Sequence, residues 1–477
     1  MMPAFPAVHP GSPGSTVRGA APHAWRRSRV GWPLTALLML YPLWWALGMG
    51  TLIVPLLAVP MALQLWRRRP VAVPPGFGIW LLFLLWVLVS TVMLGENPPG
   101  TLPDADGGRL VSVVFNLAGY LSATVILLYA GNLTEEEFPR RRLVRQLGAF
   151  FVVVVVGGLL GVLAPRFQFT SPVEMLLPES VTRVGFVRSL VHPASSQLQD
   201  VLGFTSPRPS APFGYTNTWG NCLALLIGWF VISWLLDGRT GRRIAGFGIL
   251  LVAAVPIVYS LNRGLWIGLA VIALVTAGRL ALRGRLLVIA GLFVTVLLAV
   301  VMVLTTPLAT IVEGRLDNPQ SNKIRGFTIE RTLDVVEYSP VIGFGSTRAA
   351  LGSSNSIAIG ADDQCRRCGN PTLGSNGQLW LVLIAQGIGG VVLYLGFFLR
   401  SMWAYRRDRT PIGDAGFLTL MLTFLFMFLY NALTMPLVVT MLAVALLWRN
   451  KQADDAVLLA ARPSQAAVID AQAGVLR

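Results

Sequence analysis

The chain has 477 residues, of which 54% are hydrophobic and only 13% charged, with a mean hydropathy of +0.65. Soluble domains carry about 25% charged residues, so this composition excludes an ordinary soluble protein and indicates a polytopic membrane protein. The formal charge is +16, and Lys323 and Lys451 are the only lysines, so the excess is arginine. The arginines stand in short clusters between apolar runs, a topology signal and not a nucleic-acid footprint; the expected surroundings are a lipid bilayer, with no nucleic-acid partner. Three cysteines exclude a disulfide-rich scaffold, and Cys222, inside an apolar run, reads as a small buried hydrophobe.

Residues 1–33 hold Pro, Gly, Ser and Arg with no early apolar run. They are expected to form a disordered cytoplasmic arm and not a cleaved signal peptide. Residues 34–66 are apolar and flanked by Arg26, Arg27 and Arg29 on one side and by Arg67, Arg68 and Arg69 on the other. Basic clusters favour the cytoplasm, so this run is expected to cross twice, turning at Gly48-Met49-Gly50. Further spans are predicted over 77–94, 110–130, 147–163, 216–236, 244–259, 265–277, 286–306, 379–399, 417–430 and 433–448. The expected fold is therefore an all-α polytopic membrane protein with about twelve transmembrane helices and both termini inside. Its transmembrane domain covers 34–452, and a cytoplasmic tail follows at 453–477. Two long polar segments, 165–212 and 307–377, fall outside. Loops longer than roughly 12–15 residues usually carry function or are disordered.

The first outer segment ends in Arg208 and leads through Phe213 and Gly214 to Asn217, a polar start to the next helix. Between two later spans lies Ser260-Leu261-Asn262-Arg263-Gly264, with almost no loop. Arg263 either snorkels to the interface or holds an oxyanion, for which its planar fork is suited. In the second segment, Ile324, Phe327, Leu333, Val336 and Tyr338 predict an amphipathic helix over 323–338 on the outer surface, with Arg325 in its first turn. Pro340 to Gly345 is a turn whose amides around Gly343 and Gly345 could form an anion nest. Cys365 and Cys368 predict a local disulfide in an oxidising compartment, with free thiols as the alternative; zinc would need more ligands. Ser375 and Asn376 precede the helix that follows. Helix N-termini at Asn217 and Asn376 facing a shared cavity would favour an anionic ligand, while ordinary helix capping is the alternative.

In order, these pieces resemble the O-antigen ligase and polymerase superfamily. The resemblance rests on Arg208…Phe213-Gly214-x-x-Asn217, Ser260-x-x-Arg263-Gly264, Arg325…Pro340-x-x-Gly343-x-Gly345, and Ser375-Asn376 followed by Gln386-Gly387-Ile388-Gly389-Gly390. It implies a GT-C-like fold and an inverting glycosyltransferase that needs no metal or cofactor. Such an enzyme moves glycan from a polyprenyl pyrophosphate carrier to a glycan or lipid acceptor on the outer face of the bacterial inner membrane. Arg263 and Arg325 are then expected to hold the pyrophosphate. Arg208, Asn217, Gly343 and Gly345 fall on the matching substrate-binding motifs.

The chain departs from the family at one point. Where the family usually has a His-Asn pair, with the His as candidate base, this sequence has Ser375-Asn376. Ser375 cannot act as a base at neutral pH. His192 is the one histidine in an expected outer segment and is the candidate replacement, with Glu337, Asp362 and Asp363 as alternatives. Two competing readings are a transporter of a lipid-linked or anionic solute, which should show internal repeats and interrupted helices, and a non-catalytic scaffold.

Overall fold

The structure is a computed structural model that describes residues 30–103, 107–182, 185–200, 205–284, 286–305, 308–317, 320–350 and 371–461. Cys365, Cys368, Asp362, Asp363 and the N-terminal arm up to residue 29 lie outside the described residues.

The described chain is nearly all helix. It opens with α1 (Trp32–Met39) and α2 (Tyr41–Ala46), each with a proline in its first turn. Pro42 has no N–H to continue α1, so the first apolar arm is two short helices and not one span. Gly48, at φ 78°, turns the chain into α3 (Ile53–Trp66), so the expected hairpin turn is found. The bundle continues with α4 (Phe77–Ser90), α5 (Gly108–Asn132) and α6 (Arg140–Leu163). The first long segment then folds as three short helices, α7 (Pro172–Leu176), α8 (Glu179–Thr182) and α9 (Gly185–Val191), and an antiparallel hairpin of β1 (Ser196–Asp200) and β2 (Thr205–Pro209).

After it come α10 (Thr216–Phe230), which runs on through a π turn at Val231–Leu236, α11 (Thr240–Tyr259), α12 (Arg263–Ala281) and α13 (Leu286–Leu304). The second long segment holds α14 (Leu308–Asp317), α15 (Gln320–Val336) and a two-residue pairing of β3 (Arg348–Ala349) with β4 (Thr372–Leu373). The chain closes with α16 (Gln378–Tyr405), α17 (Pro411–Phe426) and α18 (Met435–Ala461), the last running into the expected tail.

The expected apolar segments all fall on helices. Six of these, α5, α6, α10 with its π turn, α11, α12 and α16, are long and apolar enough to cross a bilayer, and shorter apolar helices accompany them. The protein is thus an all-α, multi-pass membrane protein. Its axis is α18, buried on every side from Met435 to Asn450 and packed by α5, α10 and α17. A helix apolar all round must be enclosed, and this one is. Beside it, Trp80, Phe83, Tyr120, Tyr394, Phe397 and Phe398 form one aromatic cluster with edge and tilted contacts. The helices α11 to α13 are peripheral: 67% of the apolar window of α10 is buried, against 17% of that of α12. On α13, Leu287 is 89% and Phe293 65% exposed, an apolar surface suited to lipid.

Two expectations about the second long segment change. The buried stripe of α15 is Thr328, Thr332, Val335 and Val336, whereas Leu333 and Tyr338 are exposed. Threonines can occupy the buried stripe because their hydroxyls donate to carbonyls of their own helix, Thr328 to Arg325 (3.0 Å) and Thr332 to Thr328 (2.6 Å). Arg325 lies one turn before Thr328 on the same stripe and so faces the bundle.

The Pro340–Gly345 turn is also not an open anion nest. Helix α16 breaks at Gly387, with φ 64° and ψ −167°. The turn seals this break. Phe344 and Gly345 donate to the carbonyls of Ile384 and Ala385 (2.9 and 2.7 Å), and Ile388 and Gly389 donate to those of Pro340 and Val341 (2.7 and 3.1 Å). Gly343 donates to Ser339 (3.0 Å). Its φ is 75°, and a Cβ there would lie 2.6 Å from the amide nitrogen of Gln386, so the close approach needs glycine. Broken-helix backbone inside an apolar bundle must find partners, and the turn supplies them.

Candidate functional site

The site lies on the face of the bundle that carries both long segments. Arg208, at the end of β2, is buried and donates through Nε to the Ser260 carbonyl (2.6 Å) and through its guanidinium to Gln199 Oε1. Ser260 closes α11. Leu261 then takes φ 52°, a left-handed conformation rare for a leucine, and this lets the chain reverse at once into α12, whose first residue is Arg263. The buried Asn262 accepts a hydrogen bond at Oδ1 from the Tyr430 hydroxyl. Gly264 lets Tyr430 approach: a Cβ there would lie 2.5 Å from the tyrosine oxygen. Tyr430 comes from the turn between α17 and α18.

Tyr430 also lies in the electrostatic field of Arg325 and Arg208, and Arg325 in that of Arg263. Arg208 of β2 and Arg325 of α15 therefore act on one tyrosine, and Arg263, at the start of α12, acts on Arg325. Burial lowers the pKa of Arg325; Tyr430 draws it back up and Arg263 lowers it again, so the net direction is down. Partly buried cations crowded together are stabilised by an anion placed among them.

Beside this cluster is a cavity of about 920 Å³. Its wall joins the two long segments, with His192, Gln197 and Gln199 from the first and Thr347, Thr372 and Ser375 from the second. Asn217, at the start of α10, and Asn431, before α18, also line it. His192 Nδ1 is 2.7 Å from Glu174 Oε2. Glu174 is itself fixed by a capping box, its N–H donating to Ser171 Oγ (3.0 Å) and its carboxylate accepting from Ser171 N–H (3.4 Å). A carboxylate can only accept here, so Nδ1 carries a proton, and in a neutral ring Nε2 then holds the lone pair, the form a general base requires. His192 Nε2 is buried with no partner among the described residues.

The structure thus brings His192, Asn217 and Ser375 together in one wall, and Arg208, Arg263 and Arg325 together next to it, joined through Gln199. Ser375 donates to the Thr372 carbonyl (2.6 Å). Asn376 is not in the wall; its amide donates to the Thr328 hydroxyl, one turn from Arg325, and so ties that helix to the start of α16. Gly343 and Gly345 serve the sealed break in α16. Glu337 is exposed at the end of α15.

Glu174, Tyr430 and Arg348 are not among the residues the sequence marks as candidates, and Asn262 is marked only as part of the Ser260–Gly264 stretch. Glu174 was signalled by Ser171-Pro-Val-Glu174, the capping-box pattern. Arg348 is 1% exposed and donates to the carbonyls of Met93, Leu94, Glu96 and Phe344, binding the second segment to the loop after α4. No protein-family model matches the chain, and no curated protein matches it.

Proposed function

We propose that the protein is a membrane glycosyltransferase of the O-antigen ligase or polymerase type, with the site on the outer face of the bacterial inner membrane, both termini inside and about twelve crossings in a GT-C-like arrangement. The observation that carries this reading is the grouping of Arg208, Arg263 and Arg325 beside a cavity lined by His192, whose ring is paired with Glu174 behind it. The arginines hold the pyrophosphate of a polyprenyl-linked glycan. The acceptor sits in the cavity with a hydroxyl at His192. Its oxygen attacks the anomeric carbon as the bond to pyrophosphate breaks, His192 takes the hydroxyl proton, and pyrophosphate leaves with the bonding electrons. Charge grows on that leaving group in the transition state, where fixed cations lower the barrier. Attack from the face opposite the leaving group inverts the anomeric centre.

A transfer assay with lipid-linked donor and acceptor tests this. Arg263→Ala and Arg325→Ala are each expected to lower transfer on the order of 10²–10³-fold. Normal transfer by both variants would remove the pyrophosphate role. A transporter would share the broken α16, but that break is closed by Pro340–Gly345 and Gly387 is not in the cavity wall. Solute uptake into proteoliposomes without any transfer would favour that second reading.

A further inference from the structure

We infer that the cavity takes the acceptor as an uncharged sugar: a hydroxyl-rich glycan end without carboxylate, phosphate or amine at the residues it inserts. The place of this glycan in a reaction rests on the glycan-transfer reading above; its chemistry rests on the wall. Among the described residues the wall holds no Asp, Glu, Lys or Arg. His192 is its single basic side chain among the described residues, and its Nδ1 already faces Glu174. An acidic or amino sugar moved into this space would lose its water without meeting a counter-charge.

The hydrogen-bonding groups of the wall are neutral. Five side-chain amides line it: Asn116, Gln197, Gln199, Asn217 and Asn431. Three of the residues in the wall, His192, Asn217 and Asn431, each carry an acceptor (Nε2, Oδ1 and Oδ1) that is covered from the cavity as the side chains stand and has no partner among the described residues. Buried acceptors without a partner call for donors. Sugar hydroxyls are donors, whereas an ionised carboxylate or phosphate is acceptor-only.

At the two helix N-termini near the cavity, part of the first-turn amide set is already taken. Thr216 N–H donates to Gln197 Oε1 (3.3 Å), Gln378 N–H to the Tyr430 carbonyl (2.8 Å) and Leu379 N–H to that of Met427 (2.9 Å). Aromatic surface completes the wall at Trp45, Phe115 and Tyr215, an apolar counterpart for the C–H faces of a pyranose ring. The volume of about 920 Å³ is near the upper end of the roughly 300–1,000 Å³ of small-molecule sites. The anionic donor and the neutral acceptor are thereby sorted to different places, the donor to the arginines beside the cavity and the acceptor to the amides that line it.

The test uses the full chain in nanodiscs against an array of neutral oligosaccharides and of uronate- and phosphate-bearing ones, with inorganic pyrophosphate binding measured on the same preparation. Binding is expected to be confined to neutral glycans and to weaken about 10-fold each in Asn217→Ala and Asn431→Ala, which take away one acceptor apiece. The selectivity of the unmutated protein decides the matter even where a variant fails to fold. Equal or tighter binding of acidic glycans overturns the inference. So does the absence of any glycan binding while pyrophosphate binds, and that outcome leaves the arginine site standing. Neutral-glycan binding without pyrophosphate binding instead overturns the donor site and leaves this inference intact.

Discussion

On the proposed reading, His192 takes the base position that the resemblance assigns to the residue at Ser375. The ring belongs to the first long segment, while Ser375, where the resemblance leads one to expect a histidine, comes from the second; both line one cavity. Glu174 acts only through the ring, by holding Nδ1–H and so presenting the Nε2 lone pair. His192→Ala is expected to lower kcat on the order of 10²–10⁴-fold. Glu174→Gln should lower kcat by less and leave KM for the glycan unchanged, because the amide still accepts from Nδ1–H but no longer stabilises the charged ring. Steady-state transfer kinetics distinguish these outcomes, and full kcat in His192→Ala would end its assignment as base. Ser375 is bonded to the Thr372 carbonyl and has no means of taking a proton at neutral pH; Ser375→Ala should transfer nearly normally.

Among the elements, α16 and the Pro340–Gly345 turn form one interlocked unit. The helix supplies two free carbonyls and two free amides at its break, and the turn meets all four. Gly387 sits where both backbones meet: its φ is 64°, and a Cβ there would lie 2.5 Å from the carbonyl of Val341. Gly387→Ala therefore combines an unfavourable backbone conformation with a steric clash against backbone, worth roughly 1–3 kcal/mol. A lowered melting temperature in detergent is the expected result; an unchanged one would mean that the turn and helix separate at little cost. The helix α15 carries the same lesson on a smaller scale. Its threonine stripe faces inward because each hydroxyl is satisfied within the helix, and this aims Arg325 at Tyr430.

For the whole molecule, the two faces of the bundle are built with opposite electrostatics. The site face groups arginines beside a tyrosine. On the other face several arginines are ion-paired: Glu135 pairs with Arg140 (2.7 Å) and Arg449 (2.8 Å), Arg68 pairs with Glu137, and Asp414 with Arg279 (3.0 Å) and Arg283 (2.5 Å). Burial pushes the Glu137 carboxyl up, but hydrogen bonds from Arg68 and Thr134 outweigh it and hold its pKa below the ordinary value. A carboxyl with a depressed folded pKa contributes stability above its unfolded pKa, and this is lost as the pH falls through the folded value. Thermal stability of Glu137→Gln should thus fall short of the unmutated protein at neutral pH, and the gap should close as the pH falls below the ordinary carboxylate range. A gap independent of pH would show that the carboxylate charge is not what the pair contributes.

By itself, the sequence determined the class of the molecule and the position of its helices. Twenty apolar residues cannot stay in water, and basic clusters mark where a run ends, so both signals are local. It also marked most of the residues that meet at the site, since Arg208, Arg263 and Arg325 each stand at a polar interruption between apolar runs. Only the tertiary structure decided their arrangement. Tyr430 lies more than a hundred residues from the arginine it faces on α15, and no period or spacing links the two. The same holds for Gly343 and Gly345: a glycine turn looks alike whether it cradles an anion or seals a helix. What separates the two uses is whether another backbone with unmet hydrogen bonds stands opposite, and here the break at Gly387 does.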